Sequence, residues 1–240
     1  MTDSPAAPFP KPDDKSPIEQ KQMTFAERDA SFSWQVLRIM AEFVDGFDFL
    51  ARLRRTVTFF GSARVSEGDR HYQLARGLGK RLAEEQYTVV TGGGPGIMEA
   101  GNRGASEGGG LSVGLNIELP LEQRLNTYVK QGMGFHYFFS RKFMLDYSAM
   151  AYVYFPGGYG TLDELFTVLT LVQTGKTDTD TPIILMGSEY WAPLAEWLSH
   201  SLAEQHFITP ADLRLLRITD DIEEAVRIIK NAGERTPGGG

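Results

Sequence analysis

Residues 152–164 read YVYFPGGYGTLDE, and this stretch decides the fold. Its first four residues form a short apolar and aromatic run of the kind that makes a buried strand. The next five residues, PGGYG, contain three glycines, and glycine lets a ligand approach the backbone closely. A helix that begins at such a loop points unpaired N–H groups at the ligand, and phosphate suits this position. The stretch therefore predicts a strand, an anion-binding loop and a helix in succession.

The same alternation of strand and helix runs through most of the chain. Further strand-like runs are predicted at 57–60, 87–91, 111–115 and 183–186. Leu74, Leu78 and Leu82 show the spacing of one intervening helix. Strands without polar alternation, separated by helices, indicate a doubly wound α/β fold with a parallel, Rossmann-like sheet. Ligands bind beyond the carboxyl ends of such strands. Residues 116–134 lack a clear period and are expected to form a loop that lines the site.

The termini differ in composition from the central domain. Residues 1–22 contain five of the twelve prolines and are expected to be a disordered tail, and residues 233–240 a flexible C-terminus. Between them, residues 23–232 are predicted to form a single domain. Apolar residues at three-and-four spacing predict an N-terminal helix over about residues 32–53. That helix must cover apolar surface, either on its own core or on a second subunit.

Composition narrows the functional classes. The 240 residues carry a net charge of −7, which argues against nucleic-acid or anionic-membrane binding. The longest apolar run has seven residues, far fewer than the roughly 20 of a membrane-spanning helix. The chain has no cysteine, which excludes thiol catalysis and is compatible with the expected cytoplasmic location. The four histidines show no metal-ligand spacing, so no metal is expected.

Two more predicted strands end in glycine loops, GSAR at 61–64 and TGGGPGIMEA at 91–100. The common nucleotide fingerprints do not fit these loops. Ile97 and Asp163 stand where G-x-G-x-x-G requires its third glycine, and Thr170 stands where a P-loop requires its first. Pro95 or a neighbouring residue suits the first turn of the helix after the second loop. Any one of these loops could be a tight turn without a ligand, but three together favour close approach of a ligand.

The motif at 156–164 resembles the P-G-G-x-G-T-x-x-E signature of the Lonely Guy (LOG) family, the cytokinin-activating phosphoribohydrolases, whose bacterial relatives are often labelled lysine decarboxylases. The resemblance covers about residues 56–177. The N-terminal helix resembles that of the longer type of LOG protein. The resemblance implies hydrolysis of AMP or N6-substituted adenine nucleoside 5′-monophosphates to base and ribose 5-phosphate, without a cofactor. It also implies a homodimer or a larger even-numbered assembly. A nucleotide or molybdenum-cofactor carrier without turnover is the alternative.

The resemblance implies Arg141 and Glu164 as the catalytic pair. It implies substrate contacts at Ser62, Arg64, Gly93, Gly94, Gly96, Met98, Glu122, Lys142, Gly157, Gly158, Tyr159, Gly160, Thr161, Asp163 and Thr170. A carboxylate at Glu164 could stabilise an oxocarbenium-like state or orient water, and Arg141 could pair with it or contact substrate oxygens. Two plainer interpretations stay open. Thr161 and Glu164 also fit a helix capping box, and adjacent basic residues are often a solvated helix face.

Overall fold

A parallel sheet of seven strands organises the protein, in the order β4-β3-β2-β1-β5-β6-β7. The computed structural model describes residues 25–118 and 125–233. The strands are β1 (Thr56–Phe60), β2 (Thr88–Thr91), β3 (Ser112–Ile117), β4 (Gln131–Phe135), β5 (Ala151–Tyr154), β6 (Ile183–Met186) and β7 (Leu216–Thr219). The helices are α1 (Phe25–Leu50), α2 (Arg70–Glu84), α3 (Ile97–Glu107), α4 (Phe138–Ser148), α5 (Tyr159–Gln173), α6 (Ser188–Trp197) and α7 (Ile222–Asn231). A π-helical turn at Leu198–Ala203 and a 3₁₀ turn at Asp212–Leu215 follow α6.

The chain divides into two units within α1. The described part of the first unit, residues 25–38, is helical. The second unit begins at Ile39 and contains the whole sheet.

Apolar clusters cover both faces of the sheet. Phe59 and Phe60 are neighbours on β1 and point to opposite faces. Phe59 belongs to a cluster with residues of α2, α3 and α7, whereas Phe60 belongs to one with residues of α4 and α5. All six strand pairs are parallel. The predicted doubly wound α/β fold is therefore confirmed, and the reversal of strand order between β1 and β5 marks the crevice where such folds bind ligands.

Each of the five predicted strands is present, with shifts of one or two residues at some ends. The expectation of a loop over 116–134 is wrong at both ends, because β3 extends to Ile117 and β4 pairs with β3 from Gln131. Residues 119–124 lie outside the described residues. The sequence pattern did not predict β4 because this strand contains Gly132 and Gly134, and glycine has low strand propensity. A side chain at Gly132 would crowd Leu125, which explains the glycine. The short strand β7 was also not predicted.

The N-terminal helix, expected over about 32–53, spans Phe25–Leu50. The expected tail at 1–22 and nearly all of the expected flexible C-terminus lie outside the described residues. Among the helices of the described ranges, none is both long and apolar enough to cross a lipid bilayer.

Candidate active site

Hydrogen bonds join the three glycine loops at the strand ends. The backbone N–H of Ser62 donates to the carbonyl of Pro156 at 3.0 Å, and the N–H of Ile97 donates to the carbonyl of Ser62 at 3.1 Å. Gly96 has φ of 68° and no room for a side chain, because a Cβ there would clash with Ser62 and Ala63. The loops after β1, β2 and β5 thus form one surface at the predicted crevice. Helix α3 begins at Ile97, so Pro95 lies before its first turn and not within it.

A buried polar network holds the loop after β2. The hydroxyl of Thr91 donates to Oδ1 of Asn102 at 2.7 Å and accepts from the N–H of Gly93 at 2.9 Å. Nδ2 of Asn126 donates to the carbonyls of Gly93 and Gly94 at 3.1 and 3.0 Å. Each bond satisfies a polar group that burial would otherwise penalise. Sequence reasoning missed both asparagines, since neither belongs to a glycine motif.

Arg141 reaches across the ends of two strands. It lies in the first half of α4, is largely buried, and donates from Nε to the carbonyl of Leu115 at 2.7 Å. A Cβ on Gly92 would clash with its guanidinium, so the glycine makes room for the arginine. Burial lowers the pKa of Arg141, and the charge of Glu164 opposes this shift. The interpretation of Arg141 as part of a solvated helix face is therefore wrong.

Glu42 on α1 fixes the start of α4. Its carboxylate accepts hydrogen bonds from the backbone N–H of His136 at 2.7 Å and of Tyr137 at 3.4 Å. It also accepts a hydrogen bond from the hydroxyl of Ser140. A carboxylate at a helix N-terminus stabilises the helix through its unpaired N–H groups and its dipole. This contact positions α4 and hence Arg141. No motif in the sequence pointed to Glu42.

Helix α5 begins with an open N-terminus. Gly158 is its N-cap and no side chain caps it. The interpretation of Thr161 and Glu164 as a capping box is therefore wrong, because Thr161 is already inside the helix and buried against Gly157. A Cβ on Gly158 or Gly160 would meet no atom within 4 Å, so the space beside this N-terminus is open. First-turn N–H groups without helical partners can bind an anion there.

Glu164 lies in the second turn of α5 beneath this N-terminus. Burial raises its pKa to about 7; the charge of Asp163 acts in the same direction, and those of Lys142 and Arg141 oppose it. Its Oε2 is buried without a hydrogen-bond partner among the described residues. Lys142 pairs with Asp163 at 2.5 Å. The expected pairing of Arg141 with Glu164 is not present as an ion pair, and the two groups interact only through their charges.

The remaining predicted site residues lie in several different places. Beside the loops, Met98 packs on Gly94, and exposed Arg64 donates its backbone N–H to Oγ of Ser62 at 3.1 Å. Tyr159 is exposed at the start of α5. Glu122 lies outside the described residues.

Thr170 is not brought to the crevice. It is ten residues beyond Gly160, or about 15 Å along the helix at a rise of about 1.5 Å per residue. Its hydroxyl donates to the carbonyl of Phe166 at 2.7 Å. The residue lines a cavity of about 170 Å³ whose other walls are mostly leucines. Within residues 25–118 and 125–233, no group of three or more His, Asp or Glu side chains is placed to hold a metal ion.

Comparison with known proteins agrees with this geometry. The family described as "Possible lysine decarboxylase" matches residues 98–229. A cytokinin riboside 5′-monophosphate phosphoribohydrolase of Rhodococcoides fascians is 30% identical over 74% of this chain and 90% of its own length. The X-ray structure of TM1055 superposes with a TM-score of 0.57 at 26% identity, covering 74% of this chain and 99% of that one.

A carrier protein also shares the fold. The molybdenum cofactor carrier protein of Chlamydomonas reinhardtii superposes with a TM-score of 0.56 over 75% of this chain and 98% of that one, at 21% identity. At that identity the likeness concerns the fold alone. The family match, by contrast, covers residues 98–229, which include α4, the loop after β5 and α5, and the phosphoribohydrolase relative reaches 30% identity over 74% of this chain. The chain therefore belongs to the family described as possible lysine decarboxylase, the Lonely Guy family whose signature its residues 156–164 resemble.

Proposed function

We propose that the protein hydrolyses the N-glycosidic bond of nucleoside 5′-monophosphates, AMP or its N6-substituted forms, to free base and ribose 5-phosphate. One observation carries the proposal: Glu164, buried and with an unpaired oxygen, lies one turn below the open N-terminus of α5. Helical side chains tilt toward the N-terminus, so the carboxylate leans toward an anion bound there. A phosphate handle and a carboxylate thus stand on one rigid helix. The name of the Rhodococcoides fascians relative supports the same reaction.

The first turn of α5, Glu164 and Arg141 each have a role in this reaction. The first-turn N–H groups of α5 hold the 5′-phosphate, which places the anomeric carbon near Glu164. As the C1′–N bond breaks, its electron pair leaves with the base, which takes up a proton. The ionised Glu164 stabilises the positive charge that develops on the sugar and orients the attacking water. The water oxygen bonds to C1′ and its proton is released. Arg141 stays charged and balances the substrate's negative charge.

Turnover with defined substrates tests the reaction. Purified protein is incubated with AMP and with a cytokinin riboside monophosphate, and free base and ribose 5-phosphate are measured by chromatography. We expect both products from the wild type and loss of turnover in Glu164→Gln. Adenosine, which lacks the phosphate, serves as the matched control and should be a poor substrate. Stabilisation by AMP in a thermal-shift assay without any cleavage would favour the carrier instead.

Tyr190 offers a separate test of the phosphate handle. Its hydroxyl donates to the carbonyl of Gly157 at 2.5 Å and so holds the loop before α5. Tyr190→Phe removes one hydrogen bond of about 1 kcal/mol, which should raise KM for the monophosphate about fivefold and leave kcat unchanged. Residual turnover of adenosine should not change in this variant. An unchanged KM for AMP would place the phosphate elsewhere.

The proposal includes a homodimer or a larger even-numbered assembly. Met40, Val44 and Phe47 follow one another at helical spacing on α1 and are exposed, and Phe143 on α4 packs against Phe47 with ring centroids 5.9 Å apart. Such a continuous exposed apolar surface is typical of an interface. Val44→Glu should yield monomers by light scattering, whereas Phe207→Glu, on another exposed apolar side chain, should not. A wild-type monomer at working concentration would contradict this part.

The remaining parts of the proposal concern partners and location. A net charge of −7 disfavours nucleic acid and anionic membranes as partners, so the small nucleotide is the proposed ligand. The lack of cysteine is compatible with the reducing cytoplasm, where we propose that the reaction takes place.

A further inference from the structure

Asp146 is a second acidic side chain near Glu164 that the mechanism above does not use. It lies on α4, five residues after Arg141, and is largely buried. Its Oδ1 and Oε2 of Glu164 are both buried carboxylate oxygens without a hydrogen-bond partner among the described residues. The charge of Glu164 raises the pKa of Asp146, so the two groups are close enough to interact. Two buried carboxylate oxygens without partners, one on α4 and one on α5, therefore belong to groups that lie within range of each other's charge.

Two tyrosines of β5 hold the backbones that carry these carboxyl groups. The hydroxyl of Tyr152 donates to the carbonyl of Asp146 at 2.6 Å, and the hydroxyl of Tyr154 donates to the carbonyl of Glu164 at 3.3 Å. Residues two apart on a strand point to the same face of the sheet. One strand thus ties α4 and α5 at neighbouring points, and both tyrosines are buried. The fold therefore fixes the two backbone positions that carry the carboxyl groups, next to one another on the same face of the sheet.

The chemistry of the two groups limits how they can coexist. An ionised carboxylate only accepts hydrogen bonds, so two ionised groups would leave both buried oxygens unsatisfied and would repel each other. A single proton makes one group a donor to the other. We propose that Asp146 is a positioning residue for Glu164, and that the two carboxyl groups hold one proton between them, directly or through a water molecule, in the active form of the enzyme. This role rests on the function proposed above.

The two carboxyl groups titrate close together. Burial raises the pKa of Glu164 to about 7, and burial and then the charge of Glu164 raise the pKa of Asp146 to about 8. The pair therefore loses its two protons in separate steps, and we assign the first to Glu164 and the second to Asp146. Lys142 lowers and Asp163 raises the pKa of each carboxyl group.

Three further titratable groups face the pair. The charge of Arg141 lowers the pKa of Glu164. Burial raises the pKa of Tyr154 well above its ordinary value of 10, so its hydroxyl stays neutral where the two carboxyl groups titrate. Tyr152 is the third group, and its hydroxyl donates to the backbone carbonyl of Asp146.

Carboxyl NMR on the full chain tests proton sharing without any turnover. Protein labelled with ¹³C at the Asp and Glu carboxyl carbons is titrated as wild type, Asp146→Asn and Glu164→Gln, and the variants assign the two signals. We expect both groups of the wild type to titrate near neutral pH. In Glu164→Gln, Asp146 should titrate at lower pH, since a neighbouring negative charge is gone. An Asp146 that titrates near its ordinary value of about 4 in the wild type would overturn the proposal.

Steady-state kinetics test the positioning role. The wild-type kcat should rise with an apparent pKa of about 7 and fall with one of about 8, as Asp146 loses its proton. Asp146→Val removes the donor and should lower kcat about tenfold or more at unchanged KM. Asp146→Asn keeps a hydrogen-bond donor that cannot ionise. Its kcat should therefore lie above that of Asp146→Val and should not fall at alkaline pH.

A merely structural role predicts other results. With a merely structural role, kcat would be lowered equally in Asp146→Val and Asp146→Asn, or kcat would still fall at alkaline pH in Asp146→Asn. Either result overturns the positioning role. If the wild type releases no base from any monophosphate, the proposed function fails and the positioning role with it. The carboxyl titration still decides, independently, whether the pair shares a proton.

Discussion

Replacing Glu164 by glutamine should remove activity and at the same time stabilise the fold at alkaline pH. The carboxyl group is largely buried and its pKa is raised from an ordinary 4.5 to about 7. The folded state therefore binds a proton more tightly than the unfolded chain. The resulting penalty is absent below pH 4.5, grows as the pH rises, and is complete above pH 7. At about 1.4 kcal/mol for each tenfold change in proton affinity, it reaches about 3 kcal/mol.

Glutamine keeps the shape of the side chain without its charge. At pH 8 the free energy of unfolding of Glu164→Gln should exceed that of the wild type by up to about 3 kcal/mol, and at pH 4.5 the two should be equal. Loss of a charge that stabilises the transition state should lower kcat about 100-fold or more. Opposite effects on stability and turnover are expected where a buried charge is kept for function.

Urea unfolding at fixed protein concentration, followed by circular dichroism at pH 4.5 and pH 8, measures the difference. Glu196→Gln is the matched control, because it makes the same chemical change on an exposed side chain. The control should leave both stability and kcat close to wild type. A Glu164→Gln variant that is no more stable than wild type at pH 8 would refute the reasoning about the buried charge, and full activity would refute the catalytic role.

Two further predictions concern the surroundings of Arg141 and Glu164. Gly92→Ala places a methyl group against the Arg141 guanidinium, so kcat/KM should fall about 100-fold while circular dichroism shows an intact fold. Gly68→Ala, in open space, should leave kcat/KM unchanged, and equal losses in both variants would contradict the argument. Asp163→Asn removes a charge that raises the pKa of Glu164, so the acidic limb of the pH–kcat profile should move to lower pH. An acidic limb that stays in place would show that Asp163 does not influence Glu164.

Much of the fold was predictable because its signals are local. Uninterrupted apolar runs separated by helical periodicity predicted five of the strands and their parallel arrangement. Strand β4 was not predictable in this way, since glycine has low strand propensity and the two glycines of this strand lie close to side chains from other segments, Gly132 to Leu125 and Gly134 to Glu118. The glycine loops were predicted at the site, and the structure brings them together.

The neighbours of the candidate catalytic residues were not predictable. Glu42 is almost 100 residues from Ser140, and Asn126 is more than 30 from Gly93, yet each contact holds part of the site. No local pattern distinguishes these side chains from ordinary surface residues, because long-range contacts leave no periodicity in the chain. Asp146 was overlooked for the same reason.

The amino-acid sequence by itself determined the fold class, the placement of glycine loops after the strands, and the signature at 156–164 that indicates the family. These are properties of short segments, which periodicity and glycine chemistry govern. Only the tertiary structure decided that Glu164 has a buried, unpaired carboxylate oxygen and is not a helix cap, that Thr170 lies away from the crevice, and that Asp146 also has a buried oxygen without a partner. Burial and through-space charge depend on which distant segments pack together, and these two effects raise the proton affinity of Glu164.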